Sequence, residues 1–350
     1  MPETTSNQIK LSLDGKELKG AARGNLSSIV VAESIEQLDM IEATFIVPQS
    51  GSTRDKILAL GKHGVTIKAE MCAGDSAERT LEGTVVEIAY SGGAGSALQL
   101  LVRGLSDLTK VKSSQLAVVH EGDDAAVIKK IASAAGLGAD IQGVDGTGEF
   151  FLQPNLTNAE VVNAIAKRNN YVVRVDDGKL VFSRINKLGG ATKLKVKWSE
   201  VMEYGVEQSL DGVVTDVMVT GKDLKANKWL KGTAAASDVT GISGGATATK
   251  LAKKAFGKIE RIIDHTDDAD QSQLVAMAKG ELQRRAERFV RGEFTTTFLA
   301  EARTGAQLSF ENPICDAMKG PFIVREVTHL FDADEGYRTR LSVISDSLPA

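Results

Sequence analysis

The chain has 350 residues, of which 42% are hydrophobic and 25% are charged, and its formal net charge is −4. This balance excludes an intrinsically disordered chain and supplies no overall positive field for nucleic acid, so we predict no nucleic-acid readout. Aromatic residues make up only 5%, whereas glycine occurs 34 times and proline 6 times, a composition typical of short strands joined by turns. No apolar run is long enough to span a bilayer, and the polar N-terminus lacks a secretion signal.

Residues 7–110 alternate between short apolar segments and turns that contain glycine. Their period-2 pattern predicts six strands, and a short helix is predicted within residues 50–61. The predicted strands are residues 9–13, 26–31, 41–47, 65–71, 80–90 and 97–103. Six short strands with glycine between them favour a β-barrel or a β-sandwich.

Residues 111–190 have a different pattern, with two helix start signals and one hairpin signal. Asp123 or Asp124 can cap a helix that ends at Gly136, and residues 157–160 have the sequence of a capping box. Asp177 and Gly178 lie between two apolar segments, the strongest short-range signal for a two-residue hairpin. This region is therefore predicted to be a small α+β unit.

Residues 191–350 return to strands, but an insertion at 222–291 interrupts them. The insertion contains 14 lysines and arginines and 9 acidic residues, so its net charge is 14 − 9 = +5. Its first part, residues 232–249, is rich in Gly, Ala, Ser and Thr, and we predict a mobile arm that projects from the barrel. A helix follows, capped by Asp270, with Leu274, Ala278 and Leu282 on its apolar face.

The stretch from residue 320 to residue 343 predicts a long C-terminal β-hairpin. Residues 337–343 alternate strictly, and residues 322–331 are rich in β-branched and aromatic side chains. The alternation slips near Arg325 and Glu326, which predicts a bulge. Asp332, Asp334 and Gly336 provide the turn.

No group of residues has the spacing of a catalytic, metal or cofactor site. The four histidines are scattered, and we expect a structural hydrogen bond at His329. Residues 241–245 lack the context of a nucleophile elbow, and residues 143–148 lack the Lys of a phosphate-binding loop. Cys72 and Cys315 are predicted to be small buried residues without a disulfide.

Four basic residues on the helix of the insertion are the candidate contact residues. They are Lys279, Arg284, Arg285 and Arg288. Such a set indicates either a contact surface for an acidic partner or a solvated polar face, and the sequence leaves both interpretations open.

Four motifs in order resemble the phage late control D family, the baseplate hub proteins of contractile tails, which are related to the N-terminal part of type VI secretion spike proteins. The first is Gly64-Val-x-Ile, continued by Leu81-x-Gly83 and by Leu100-x-Val102-x-Gly104 with Asp107. The others are the capped helix before Gly136, the helix and hairpin of residues 158–182, and Gly336-Tyr-x-Thr-x-Leu341 after Thr328-His329.

The resemblance implies a mainly β fold with an α+β insert: two similar tail-tube-like β-barrels, at 1–110 and 191–350, and a small helix–hairpin domain at 111–190. It implies a homotrimer whose two barrels per chain give a pseudo-six-fold ring. This ring would join a hexameric tail tube, or a tube-initiator protein, to a trimeric spike and would contact other baseplate proteins. The chain stops soon after the hairpin, so we expect the spike to be a separate protein.

We therefore predict a structural protein, assembled in the bacterial cytoplasm, that becomes part of a virion tail or an extracellular injection particle. The sequence does not separate a phage from a bacterial injection particle. One alternative is a tail-associated cell-wall hydrolase, which would need clustered acid and base groups. Another is a monomeric carbohydrate-binding β-domain, for which the chain has few aromatic residues.

Overall fold

The computed structural model describes residues 8–349 except 36–37, 94, 107–110, 112–114, 143–149, 189–191 and 269. Asp107 of the first motif and the glycine-rich residues 143–148 therefore lie outside the described residues. Strands predominate, and the predicted mainly β class with α+β elements is confirmed.

The elements of the first third follow the predicted strands closely. They are β1 (Gln8–Leu13), β2 (Lys16–Glu17), α1 (Ala21–Gly24), β3 (Leu26–Ser34), β4 (Met40–Val47), α2 (Ser52–Leu58), β5 (Thr66–Ala73), β6 (Ser76–Ser91) and β7 (Leu98–Ser106). Apolar side chains at alternating positions point into one core, which includes Ile9, Phe45, Ile67 and Leu100.

The middle third is a small α+β unit. Its elements are β8 (Leu116–Glu121), α3 (Asp124–Ala134), β9 (Gly138–Gln142), β10 (Phe150–Leu156), α4 (Asn158–Asn169), β11 (Tyr171–Asp176), β12 (Lys179–Arg184) and α5 (Ile185–Leu188). Asp123 caps α3, the capping box of Thr157 and Glu160 is complete, and Asn170 ends α4 in the left-handed conformation. Asp177 and Gly178 form the predicted tight turn between β11 and β12.

The last part contains the remaining strands and two more helices. They are β13 (Lys193–Lys197), β14 (Val201–Gln208), β15 (Asp216–Asp223), β16 (Lys228–Ala235), β17 (Gly244–Thr247), α6 (Ala248–Phe256), β18 (Glu260–Asp268), α7 (Gln271–Ala286), β19 (Val290–Thr297), β20 (Gln307–Glu311), β21 (Phe322–Asp332), β22 (Gly336–Ser345) and β23 (Ser347–Pro349).

A single 13-stranded sheet runs through both the first and the last part of the chain. Its main path is β14-β19-β22-β21-β3-β4-β7-β6-β5-β1-β2, while β20 pairs with β21 and with β13. The two expected β-barrels are not closed among the described strands, because neither half pairs its first strand with its last. The strand that could close the first half, β3, instead pairs with β21 of the last part, from Ser34 opposite Glu326 to Ser28 opposite Asp332.

The C-terminal hairpin is the element that joins the two halves. Its strand β21 pairs with β22 along one edge and with β3 along the other. The predicted bulge is present, because the register of β21 against β22 shifts between Val324 and Glu326. In the turn, the Asp332 carboxylate accepts hydrogen bonds from the backbone N–H groups of Asp334 (2.9 Å) and Glu335 (3.3 Å).

The predicted mobile arm is wrong, since most of residues 232–249 is packed structure. Strand β16 pairs with β15, which pairs with β18, and α7 covers the resulting small sheet. A Cβ atom on Gly232 would lie 2.1 Å from the backbone carbon of Leu274, so the small residues of β16 let α7 approach the strand closely. Further on, Ser243, Thr247 and Thr249 are buried.

Three more observations bear on the predictions for individual residues. The predicted helix of the insertion is confirmed as α7, with Asp270 as its N-cap. Cys72 is buried as expected, but Cys315 is exposed because it lies in the loop between β20 and β21, so the expectation was wrong for that residue. Within the described ranges, no helix is long and apolar enough to cross a membrane.

Candidate partner-binding site

Helix α7 carries three of the four predicted contact residues, Lys279, Arg284 and Arg285. The expectation that Arg288 also lies on this helix was wrong, because α7 ends at Ala286 and Arg288 lies in the turn before β19. Its apolar stripe of Leu274, Ala278, Leu282 and Ala286 is completely buried. At Gly280 the helix passes so close to the end of α4 that a Cβ atom would lie 2.7 Å from the backbone carbon of Asn169. The C-terminal half of α7 is therefore held beside the end of α4.

This contact creates a cleft of about 630 Å³ whose walls come from α4, β11, β18, α7 and β21. Six basic side chains line it, and we call the site the arginine cleft: Lys167, Arg261, Arg284, Arg285, Arg288 and Arg325. Three of the four predicted contact residues thus lie together. The fourth, Lys279, lies elsewhere on α7, with its Nζ 3.8 Å from Asp238.

Among the described residues that line the cleft, six are basic and two, Glu281 and Glu287, are acidic. Glu281 is the shared carboxylate: Arg285 Nε lies 2.7 Å from its Oε1, Arg261 Nε lies 3.3 Å from the same oxygen, and Arg284 contacts the other oxygen. Burial, together with the neighbouring charges of Arg288 and Arg285, lowers the pKa of Arg284. Because the single carboxylate of Glu281 is shared by three guanidinium groups, a surplus of positive charge remains at this point.

The second acidic residue of the cleft, Glu287, compensates little of this charge near neutral pH. Burial raises its pKa to about 7, and the charge of Asp346 contributes to the same shift. The carboxyl group accepts hydrogen bonds from the side-chain amides of Asn170 and Gln283, each 3.1 Å long. Around pH 7 a substantial fraction of this group is therefore neutral.

The basic residues differ in how firmly they are held. Arg284 Nη1 donates to the carbonyl oxygen of Lys167 (3.1 Å), and Arg285 Nη1 donates to that of Gly212 (3.0 Å). Arg288 is exposed, and its guanidinium has no hydrogen-bond or ion-pair partner among the described residues. Arg288 is therefore available to a ligand.

Apolar side chains form another wall of the cleft. Ile35 and Leu38 are half-buried there, and behind them Val172, Ile185 and Ile344 belong to a small buried cluster. Sequence reasoning missed this wall, and it also missed Lys167, Arg261 and Arg325. These residues lie on separate elements and carry no local motif, so only the tertiary fold groups them.

A buried cluster of charges lies where the three parts of the chain meet. Arg79 of β6 binds Glu33 of β3 and Asp176 of β11, and Asp176 also accepts a hydrogen bond from Arg174 (2.9 Å). Arg174 Nη1 donates to Thr304 Oγ1 (2.8 Å) before β20. Sequence reasoning did not find this cluster, and its contacts are those of a structural junction.

His329 and Ser243, which could in principle act in catalysis, form hydrogen bonds within the fold. His329 is buried between the hydroxyl of Thr339 (3.2 Å) and the carbonyl oxygen of Ala302 (3.3 Å), and burial lowers its pKa to about 4. The hydroxyl of Ser243 donates to the Pro321 carbonyl oxygen (2.5 Å). Among the described residues, no group of three or more His, Cys, Asp and Glu side chains is placed to hold a metal ion.

The open ends of the large sheet are a second candidate contact surface. Strand β14 pairs only with β19, so its outer edge has no partner strand among the described residues. It exposes 57% of Met202 and 47% of Tyr204. An unpaired edge with exposed apolar side chains is a site at which another chain can add.

Solved structures with the same fold come from tail proteins. A 43 kDa tail protein of prophage MuSo2 from Shewanella oneidensis superposes with a TM-score of 0.69 at 13% identity, over 97% of this chain and 98% of that chain. A tail protein from Neisseria meningitidis MC58 gives a TM-score of 0.67 at 13% identity, with 97% of each chain covered. The E. coli c3393 protein, a type VI secretion component similar in structure to the bacteriophage T4 tail proteins gp27 and gp5, gives 0.60 at 11% identity, over 97% and 79%.

The fold is therefore the one found in these phage tail and type VI secretion proteins, as the sequence resemblance implied. A search by sequence among curated proteins finds no match. The family model of the Alg8 N-terminal domain matches residues 3–332, and the chain belongs to that family.

Proposed function

We propose that this chain is a structural component of a contractile tail or injection particle, its baseplate hub. Three copies would form a pseudo-six-fold ring that joins the hexameric tail tube, or a tube-initiator protein, to a trimeric spike. The observation that carries the proposal is the match of nearly the whole fold to a prophage tail protein, with 97% and 98% of the two chains covered.

The architecture gives a physical reason for a ring. The first and last parts of the chain each have their own hydrophobic core, yet both contribute to one sheet with unpaired ends. A sheet that stays open exposes backbone hydrogen-bonding groups at its edges, and a neighbouring copy can cover them. Contacts between different surfaces of successive copies close into a ring when the rotation permits. Two similar halves per chain would present six related surfaces in a trimer.

The chain would be divided into domains at about residues 110 and 190. Residues 1–110 and 191–350 would be the parts that form the ring. Arg284, Arg285, Arg288 and Lys279 are proposed to contact other baseplate proteins. The chain would be assembled in the bacterial cytoplasm and become part of the particle. Its role would be mechanical and not enzymatic.

The oligomeric state and the position in the particle test this function directly. Native mass measurement of the purified chain should give three times 37.2 kDa. Electron microscopy of particles that contain a tagged chain should show three copies in a ring between tube and spike. A monomer in solution together with a single copy per particle would contradict the hub.

The edge of β14 allows a sharper test. Met202→Lys places a charge on the exposed edge strand and should shift the trimer towards monomer without unfolding the chain. Ile314→Lys is the matched control, because Ile314 is 66% exposed and lies outside β14. Equal trimer fractions in the two variants would exclude β14 from the interface.

Digestion of purified peptidoglycan tests the non-enzymatic part of the proposal. We expect no soluble fragments. If the protein releases fragments, and if replacing His329 or Glu326 abolishes that release, the hydrolase alternative is supported instead.

A further inference from the structure

The arginine cleft combines a surplus of positive charge with an apolar wall. Three of its guanidinium groups, those of Arg261, Arg284 and Arg285, share the carboxylate of Glu281. Arg288 and Lys167 are exposed at the same cleft, and Arg325 lines it from β21. A ligand that contributes negative charge would therefore be attracted to this site.

The arrangement does not favour a small free anion. A site for phosphate usually directs several uncommitted donors towards one point. Here Arg284 and Arg285 each donate to a backbone carbonyl oxygen. Arg285 also donates to Glu281, and Arg284 forms an ion pair with the same carboxylate. The volume of about 630 Å³ is in the range of sites for larger organic ligands. A bare anion would also leave the surface of Ile35 and Leu38 unused.

We propose that the arginine cleft binds a segment of another protein of the particle in which acidic side chains stand next to apolar ones. The acidic side chains would pair with Arg288 and Lys167, while the apolar side chains would cover Ile35 and Leu38. Arginine suits this role because its planar guanidinium can bind a carboxylate through two parallel hydrogen bonds.

The position of the cleft gives such a segment a mechanical effect. Its walls come from α4 and β11 of the middle part, from α7 and β18 of the insertion, and from β21 of the joining hairpin. A segment bound there would contact all three and would oppose their separation. This inference deepens the hub proposal and rests on it for the source of the segment.

Peptide binding to the full chain tests the inference. The probe is a short fluorescent peptide in which Asp and Glu alternate with Leu and Phe, and its partner peptide replaces each Asp with Asn and each Glu with Gln. Fluorescence anisotropy should show binding of the acidic peptide only, with an affinity that falls as salt rises. Arg288→Glu should weaken binding roughly tenfold or more, because a repulsive charge replaces an ion pair.

Lys279→Glu is the matched control, since it makes the same charge change on α7, outside the cleft. It should leave the affinity of the peptide unchanged within about twofold, a difference of roughly 0.4 kcal/mol. Thermal melting of each variant verifies that the chain is folded. Lys167→Glu provides a second variant at an exposed position on α4.

Three results would overturn the inference. The neutral peptide could bind as tightly as the acidic one, Arg288→Glu could leave the affinity for the acidic peptide unchanged, or Lys279→Glu could weaken that affinity more than Arg288→Glu does. Inorganic phosphate and a thymidine oligonucleotide are tested as competitors of the acidic peptide. If phosphate displaces the peptide at a lower concentration than unlabelled peptide does, the cleft is a site for a free oxyanion. If the oligonucleotide does so, the cleft is a site for nucleic acid. Because binding is measured on the isolated chain, failure here leaves the mass and imaging tests of the hub unaffected.

Discussion

Arg79 donates two hydrogen bonds to Glu33, from Nε and Nη2, and each is 2.9 Å long and buried. The two residues come from β6 and β3, and the third bond of Arg79, to Asp176 (2.8 Å), reaches the middle part of the chain. A buried ion pair of this kind adds little compared with apolar packing, but removing one partner leaves an uncompensated charge. The pair therefore makes the junction of the three parts sensitive to single substitutions.

Glu33→Gln should lower the free energy of unfolding by about 3–5 kcal/mol, because Arg79 loses its principal counter-charge in a buried place. Glu42→Gln removes a similar partner from Arg103, but that pair is partly exposed and should cost at most about 1 kcal/mol. Urea unfolding at pH 7 measures both. A cost at Glu33 no larger than that at Glu42 would refute the importance of the pair.

Gly232→Ala tests the packing of β16 beneath α7. The added Cβ would lie 2.1 Å from the backbone carbon of Leu274, so the helix must shift, at a cost of roughly 1–3 kcal/mol. Gly205→Ala in β14 is the control, since a Cβ there meets no atom within 4 Å. It should change stability by less than about 0.5 kcal/mol. If the two variants unfold at the same urea concentration, residues 232–249 form a loose arm after all.

His329→Gln should alter the dependence of stability on acidic pH. Burial lowers the pKa of His329 from 6.5 to about 4, so the unfolded chain binds a proton there more readily than the folded chain. The contribution of His329 to stability is present above pH 6.5 and is lost as the pH falls to 4. Relative to the variant, the native chain should lose up to roughly 3 kcal/mol over this window.

The measurement is urea unfolding of both proteins at several pH values from 4 to 7. His63→Gln, at an exposed position, is the control. A difference between His329→Gln and the native chain that stays constant over this pH range would contradict the prediction.

Glu287→Gln should have the opposite sign. Burial raises the pKa of Glu287 from 4.5 to about 7, so the folded chain holds its proton more tightly than the unfolded chain. The contribution of the group is present below pH 4.5 and is lost as the pH rises to 7. The native chain should therefore lose up to roughly 3 kcal/mol relative to the variant as the pH rises. Exposed Glu301→Gln is the control. A native chain that gains stability relative to Glu287→Gln as the pH rises would contradict the prediction.

Part of this fold could be predicted from the sequence because it depends on local interactions. The caps at Asp123, Thr157 and Asp270 and the turn at Asp177 and Gly178 each depend on a few neighbouring residues, and all are present. The bulge near Arg325 was readable for the same reason, because it interrupts a strict alternation within one strand.

Features that depend on residues far apart in the sequence could not be predicted from it. The alternation of β3 shows that one face is buried, but it does not say which strand lies along each edge, so the pairing with β21 was missed. The small residues of β16 were interpreted as a mobile arm, although their small size is what lets α7 pack against the strand. For the candidate site, the basic residues of the predicted helix indicated three arginines, of which Arg288 lies just beyond the end of α7. The rest of the cleft required the tertiary fold.

The pairing of β3 with β21 has a consequence for how the protein is made. Val31 lies opposite His329, so roughly 300 residues must leave the ribosome before this edge of β3 is covered. At about 5–20 residues per second, the strand stays unpaired along that edge for roughly 15–60 seconds of synthesis. During that time the nascent chain carries an open strand edge that other chains can join, and only the last hairpin removes it.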